Sequence, residues 1–116
     1  MSKGFGYTYS GTIGHIIGVA STLPSDPTSL TNSGWTDISH PDARASGHIE
    51  LKENATGLRI RYDKKVPNAP GYKGKDHYHI YNPNATSNKD LYLDKDGNPT
   101  GKNSKSSHIL PRGGKS

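Results

Sequence analysis

The chain has 116 residues, the length of one domain, with 28% hydrophobic residues and a net charge of +5. Leu, Ile, Val and Phe together make up fewer than one residue in five, close to the composition of disorder, but seven tyrosines and one tryptophan supply apolar area for a small core with a thin stability margin. The lack of cysteine excludes a disulfide framework and thiolate zinc sites, no stretch approaches the length of a membrane span, and the basic balance points to an anionic partner, most often nucleic acid.

Residues 1–9 are rich in Gly and Tyr without a helical period and are expected to form a flexible end, as are residues 111–116. No hydrophobic signal core follows the N-terminus, so an export signal, if there is one, is expected on a larger parent chain. Ser10 or Thr12 can cap a helix running to about Leu23, with Ile13, Ile16, Ile17, Ala20 and Leu23 in one apolar stripe. Gly14 and Gly18 weaken this helix but would permit close packing on a sheet. Pro24 ends it, and a short helical turn is expected from Pro27 to Asn32, stopped by Gly34.

From Trp35 onward the pattern is that of strands. Trp35 to Ile38 reads as a short strand, and Ser39 to Ser46 as a loop opening on His40-Pro41. His48 to Lys52 alternates cleanly, Asn54 to Gly57 reads as a hairpin turn, and Leu58 to Asp63 alternates again. In that second run Leu58, Ile60 and Tyr62 point one way and Arg59, Arg61 and Asp63 the other. Residues 64–75 form a loop rich in Pro, Gly and Lys, followed by the strand His77-Tyr78-His79-Ile80-Tyr81, closed by Asn82-Pro83. Leu91 to Leu93 is a further short strand, residues 94–105 are turn-rich and basic, and Ser107 to Leu110 reads as a last short strand. The expected fold is α+β: an N-terminal helix packed on one face of an antiparallel sheet of about four or five strands.

The most informative segment is the His77–Tyr81 strand. Side chains alternate across a strand, so His77, His79 and Tyr81 share a face while Tyr78 and Ile80 take the other. Residues two apart on a strand stand about 7 Å from one another, and imidazoles exchange protons near neutral pH. This pair can therefore transfer protons, help hold a metal, or simply decorate a solvated face. Two histidines do not complete a coordination sphere, and Asp76, His108 or His40 would have to join them for a metal site. Arg59 and Arg61 share parity and would hold a phosphate and stabilise charge on it, unless they are ordinary surface charges. His108 would supply a second acid or base, with the Ser107 hydroxyl beside it. Lys73 and Lys75 are candidate phosphate contacts, with Tyr72 as a stacking platform. Asp94 to Asn98 faintly resembles a calcium loop, but its glycine is misplaced and no acidic residue closes it, so it reads as a hairpin turn.

Several short motifs occur in a fixed order: Gly14-His15-Ile16; Gly34-Trp35-Thr36-Asp37 with His40-Pro41; Thr56-Gly57-Leu58-Arg59-Ile60-Arg61-Tyr62-Asp63; Lys75-Asp76-His77-Tyr78-His79-Ile80-Tyr81-Asn82-Pro83; Leu91-Tyr92-Leu93-Asp94 with Gly97-Asn98-Pro99; and Ser107-His108-Ile109. The series resembles the C-terminal toxin domains of bacterial polymorphic toxins (contact-dependent, LXG or RHS-type), over nearly the whole chain from Tyr7 to Pro111. The resemblance implies a single nuclease domain over residues 1–116, secreted as part of a larger effector, acting in the target-cell cytoplasm and neutralised by a cognate acidic immunity protein. A helix followed by an antiparallel sheet is also similar to the fold shared by barnase, colicin-type tRNases, EndoU and RelE, in which the active site lies on the sheet face away from the helix. Catalytic residues vary widely on that fold, so it assigns no roles by itself.

The expected activity is that of a metal-independent endoribonuclease, a monomer needing no cofactor, on a tRNA or rRNA target. The ribose 2′-hydroxyl is the nucleophile, His77 and His79 are the acid and base candidates, His108 is the alternative acid, and Arg59, Arg61 and Lys75 stabilise the charge on phosphorus. Tyr72, Tyr81, Lys73, Asn82 and Ser107 complete the expected substrate contacts. A metal-dependent DNase using the His-x-His pair, a non-catalytic RNA-binding module and a structural interaction domain remain as alternatives.

Overall fold

The computed structural model describes residues 9–111; the expected flexible ends lie, apart from Tyr9 and Pro111, outside them. Helix α1 spans Ile13–Thr22, and the Thr12 side chain caps it by accepting from the His15 amide. Six strands follow, interrupted by a second short helix: β1 (Trp35–Asp37), α2 (Pro41–Ala45), β2 (His48–Glu53), β3 (Arg59–Asp63), β4 (His77–Tyr81), β5 (Tyr92–Leu93) and β6 (Pro99–Thr100). Each strand pairs antiparallel with the next, giving one sheet in the order β1-β2-β3-β4-β5-β6.

The α+β architecture is as the sequence predicts, with one strand more than expected. The sixth, Pro99–Thr100, returns from the tight Asp94–Asn98 turn. In that turn the Asp94 carboxylate accepts from the Asp96 and Asn98 amides, and Gly97 adopts a left-handed φ of +82°. Residues 39–46 are not wholly loop. Pro41 begins a short helix there, capped by the His40 ring. The final strand expected at Ser107–Leu110 is instead a 3-10 turn (Lys105–Ser107) followed by a single bridge between Ile109 and Tyr78.

The core lies between α1 and one face of the sheet. Ile16, Val19, Ala20 and Leu23 of the helical segment pack with Leu51, Leu58, Ile60, Tyr62, Tyr78, Ile80, Leu93 and Ile109, and Trp35 closes one end. The buried stripe of α1 is rotated from the expected one: Val19 is inside, while Ile13 and Ile17 are 62% and 41% exposed. Both stripes satisfy the three-and-four spacing and share Ile16, Ala20 and Leu23; packing on the sheet selects the one that includes Val19. Gly14 and Gly18 accordingly face outward rather than onto the sheet, and a methyl at Gly18 would touch nothing. The Tyr78 hydroxyl crosses the core to donate to the Pro24 carbonyl at 2.6 Å, which satisfies its buried polar end.

Candidate active site

The face of the sheet away from α1 carries the chemistry. Register fixes its membership: Asp63 lies opposite His48 on β2 and His77 on β4, and Arg61 lies opposite Glu50 and His79. Directly opposed residues of an antiparallel pair project to the same side. His48, Glu50, Arg61, Asp63, His77 and His79 therefore meet on one surface, with Tyr81 and Tyr92 continuing it across β4 and β5.

His108 reaches this surface by the same logic. Strand β5 is short and leaves part of the β4 edge uncovered at Tyr78. Residue 109 fills that gap with a reciprocal pair of backbone bonds, Tyr78 N to Ile109 O at 2.8 Å and Ile109 N to Tyr78 O at 2.9 Å. With Ile109 and Tyr78 on the apolar side, the preceding residue must project to the polar side. The ring of His108 then sits 4.9 Å from that of His77 and 4.8 Å from that of His79. One ring nitrogen from each of the three histidines lies within 4.8 Å of the others. The His77 and His79 rings lean together to 5.0 Å, closer than strand spacing alone gives.

Asp63 is the hub of the cluster. One of its oxygens is 2.6 Å from His48 Nδ1. The other accepts from Arg61 Nη2 at 2.8 Å and lies 3.3 Å from both His77 Nε2 and His79 Nε2. Burial raises the Asp63 carboxyl pKa, but hydrogen bonds from His77, His79 and Arg61 outweigh it and hold the group well below the usual carboxylate range. Asp63 is thus a fixed anion.

The histidines respond differently to this environment. Burial pulls His77 down, but its bonds to Asp63 and to the Lys75 carbonyl prevail and hold its pKa above the ordinary histidine value. Burial prevails at His79, which is held below that value despite Asp63. Burial, then the neighbouring His77, also lowers His108. His77 and His79 are buried, whereas His108 is partly open, so the solvated face weighed for the His-x-His pair is not what forms. Tyr72 stacks on His108 at 4.6 Å between ring centres and Tyr92 stacks on His79 at 4.4 Å. A cleft of about 860 Å³ borders His108 on its other side, between Ile17, Ala20 and Ser21 of α1, the Asp94–Asp96 turn, and Tyr72, Lys105 and Ser106; His77, His79, Arg61 and Asp63 do not line it.

The remaining predicted residues divide. Arg59 lies over the Tyr81 ring, 5.2 Å from its centre, on the same face but one register position further from the histidines. Lys73 is exposed on the 3-10 turn Gly71–Gly74 that carries Tyr72, and Lys75 is half-buried, its carbonyl orienting His77. Asn82 and Ser107 serve the backbone instead: Asn82 donates to Asp90 O and accepts from the Asn84 amide, and Ser107 is fully buried and donates to Ser104 O. Of the three residues that might have joined the His pair, only His108 does. Asp76 accepts from the Lys65 amide, and His40 caps α2. His15 pairs with Glu53 at 2.6 Å near β1.

Sequence reasoning missed Asp63 and His48 as site residues. The signal was present in the parity of Arg59, Arg61 and Asp63: an acid that ends a basic stripe on one strand face is a counter-ion for whatever cations converge there.

No family model, curated protein or solved structure matches this chain.

Proposed function

We propose that this domain is an endoribonuclease that cleaves RNA by attack of the ribose 2′-hydroxyl on the adjacent phosphorus. The observation that carries the reading is the convergence of His77, His79 and His108 on the Asp63–Arg61 pair, an array suited to moving protons to and from a substrate. The chain has no cysteine, and the hydroxyl next to His108 is that of fully buried Ser107, already donating to Ser104 O. A substrate that brings its own nucleophile fits such an array, and RNA is one.

Hydrogen bonding suggests the roles. Both ring nitrogens of His77 face acceptors, the Lys75 carbonyl and Asp63, which suits a doubly protonated ring acting as general acid. His108 has Nδ1 3.3 Å from the Lys105 carbonyl and is partly exposed where His77 and His79 are buried, which suits the base. The base removes the 2′-hydroxyl proton as the 2′-oxygen bonds to phosphorus. The acid protonates the departing 5′-oxygen. The products are a 2′,3′-cyclic phosphate and a 5′-hydroxyl. Arg61, held by Asp63, lies where it can stabilise charge on the phosphoryl oxygens. His79, the most enclosed of the three, positions the other two. Arg59 with Tyr81, and Tyr72, supply cation and stacking surface for flanking nucleotides.

The further role, as the toxic domain of a secreted competition protein restrained by an acidic immunity protein on its basic face, rests on the ordered sequence motifs and on the net charge of +5. His108→Ala tests the catalytic assignment because His108 is partly exposed and lies outside the apolar core. Losing a general base is expected to cut cleavage of a defined RNA by roughly 10²- to 10⁴-fold, with the circular dichroism spectrum unchanged. Full activity in this variant would remove His108 from the mechanism.

A further inference from the structure

We propose that His77, His79, His108 and Asp63 form a binding site for a first-row divalent metal ion of the Zn²⁺ type, and that its occupation switches off RNA cleavage. The binding half stands on geometry alone; the inhibitory half rests on the function proposed above.

The donor set is the first argument. Three imidazole nitrogens lie within 4.8 Å of one another, and His77 and His79 are fixed on one strand. Imidazole donors select zinc, copper or nickel over magnesium or calcium. The second argument is what lies behind the ligands. A metal-binding histidine typically donates its other N–H to a carbonyl or carboxylate, which fixes the ring and keeps the lone pair on the metal side. Here His77 Nδ1 is 2.8 Å from the Lys75 carbonyl and His108 Nδ1 is 3.3 Å from the Lys105 carbonyl. Both rings are thereby set to offer Nε2. The third argument is spacing. Ligands about 2.0–2.1 Å from a tetrahedral ion stand roughly 3.3–3.4 Å apart. Asp63 Oδ2 is 3.3 Å from His77 Nε2 and 3.3 Å from His79 Nε2, so two edges of the tetrahedron already exist. The His77–His79 edge and the three edges to His108 remain; the three imidazole nitrogens already lie within 4.8 Å of one another, and small ring shifts on binding would close them.

An imidazole whose lone pair is bound to a metal can neither accept nor deliver a proton. Metal binding and proton transfer therefore compete for the same nitrogens. A nuclease built this way is silenced by ambient zinc and released wherever zinc is scarce.

The test uses the intact chain, stripped with chelator, and Zn²⁺ as the probe. Calorimetric titration should give one ion per chain, with a concentration-dependent rise in Tm. Co²⁺ in place of Zn²⁺ should give the intense visible absorption of a tetrahedral site. His108→Ala should weaken Zn²⁺ binding at least tenfold, and saturating Zn²⁺ should lower RNA cleavage by the unaltered chain at least tenfold, reversibly with EDTA. No binding heat, a pale octahedral Co²⁺ spectrum or unchanged affinity in His108→Ala would overturn the site. Cleavage that appears only when Zn²⁺ is added would overturn the inhibitory half. Tight Zn²⁺ binding by a chain that cuts no RNA under any condition would uphold the site and sink the nuclease reading, so the two failures are distinguishable.

Discussion

The two faces of the sheet are made by the same strands and differ in everything else. On β3, Ile60 and Tyr62 enter the core while Arg61 and Asp63 enter the site; on β4, Tyr78 and Ile80 enter the core while His77 and His79 enter the site. One face is held by apolar burial against α1. The other is equally dry at His77, His79 and Asp63, but there an ionic and hydrogen-bonded hub replaces hydrocarbon. A buried polar hub of this kind is poor evidence of stability, because desolvation offsets much of the attraction.

Substitutions on each face separate the two contributions. Ile60→Ala strikes the apolar face at a fully buried position and should cost about 4 kcal/mol, read from the urea midpoint. RNA cleavage per folded molecule should be unchanged, and a parallel loss would mean that the faces are not independent. Asp63→Asn strikes the hub. It leaves Arg61 without its anion, at a cost of about 3 kcal/mol, the low end for a broken buried pair because the Arg61 side chain keeps 31% exposure. Unlike Ile60→Ala, it should also cut cleavage per folded molecule; unaltered cleavage would show that Asp63 does not organise the histidines. Gly18→Ala touches neither face. It adds a methyl in open space within α1 and should stabilise the domain by about 0.5–1 kcal/mol with activity unchanged.

The comparison also explains what the sequence made legible. Strict alternation in residues 48–52, 58–63 and 77–81 assigned each side chain to its face, because a strand has only two. Helix α1 was harder. Ile13 and Ile17 compete with Val19 for the buried stripe, and only the sheet decides between them. The brief strand β6 and the short helix α2 carry no apolar period to detect. Within the site, parity pairs His77 with His79 and Arg59 with Arg61, while the face common to both pairs is set by the β3–β4 register that brings Arg61 opposite His79. The arrival of His108 depends on a bridge between residues 78 and 109, a non-local pairing that no local pattern announces. The enclosure of the histidines by Tyr72 and Tyr92 is likewise tertiary.

The central claim, that this imidazole cluster acts on a substrate carrying its own nucleophile, is tested most directly by end-group analysis of matched RNA and DNA oligonucleotides incubated with the chelator-treated domain. The account predicts RNA fragments ending in 2′,3′-cyclic phosphate and 5′-hydroxyl, formed in the presence of EDTA, with the DNA intact. Cut DNA, 5′-phosphate ends or intact RNA would contradict it.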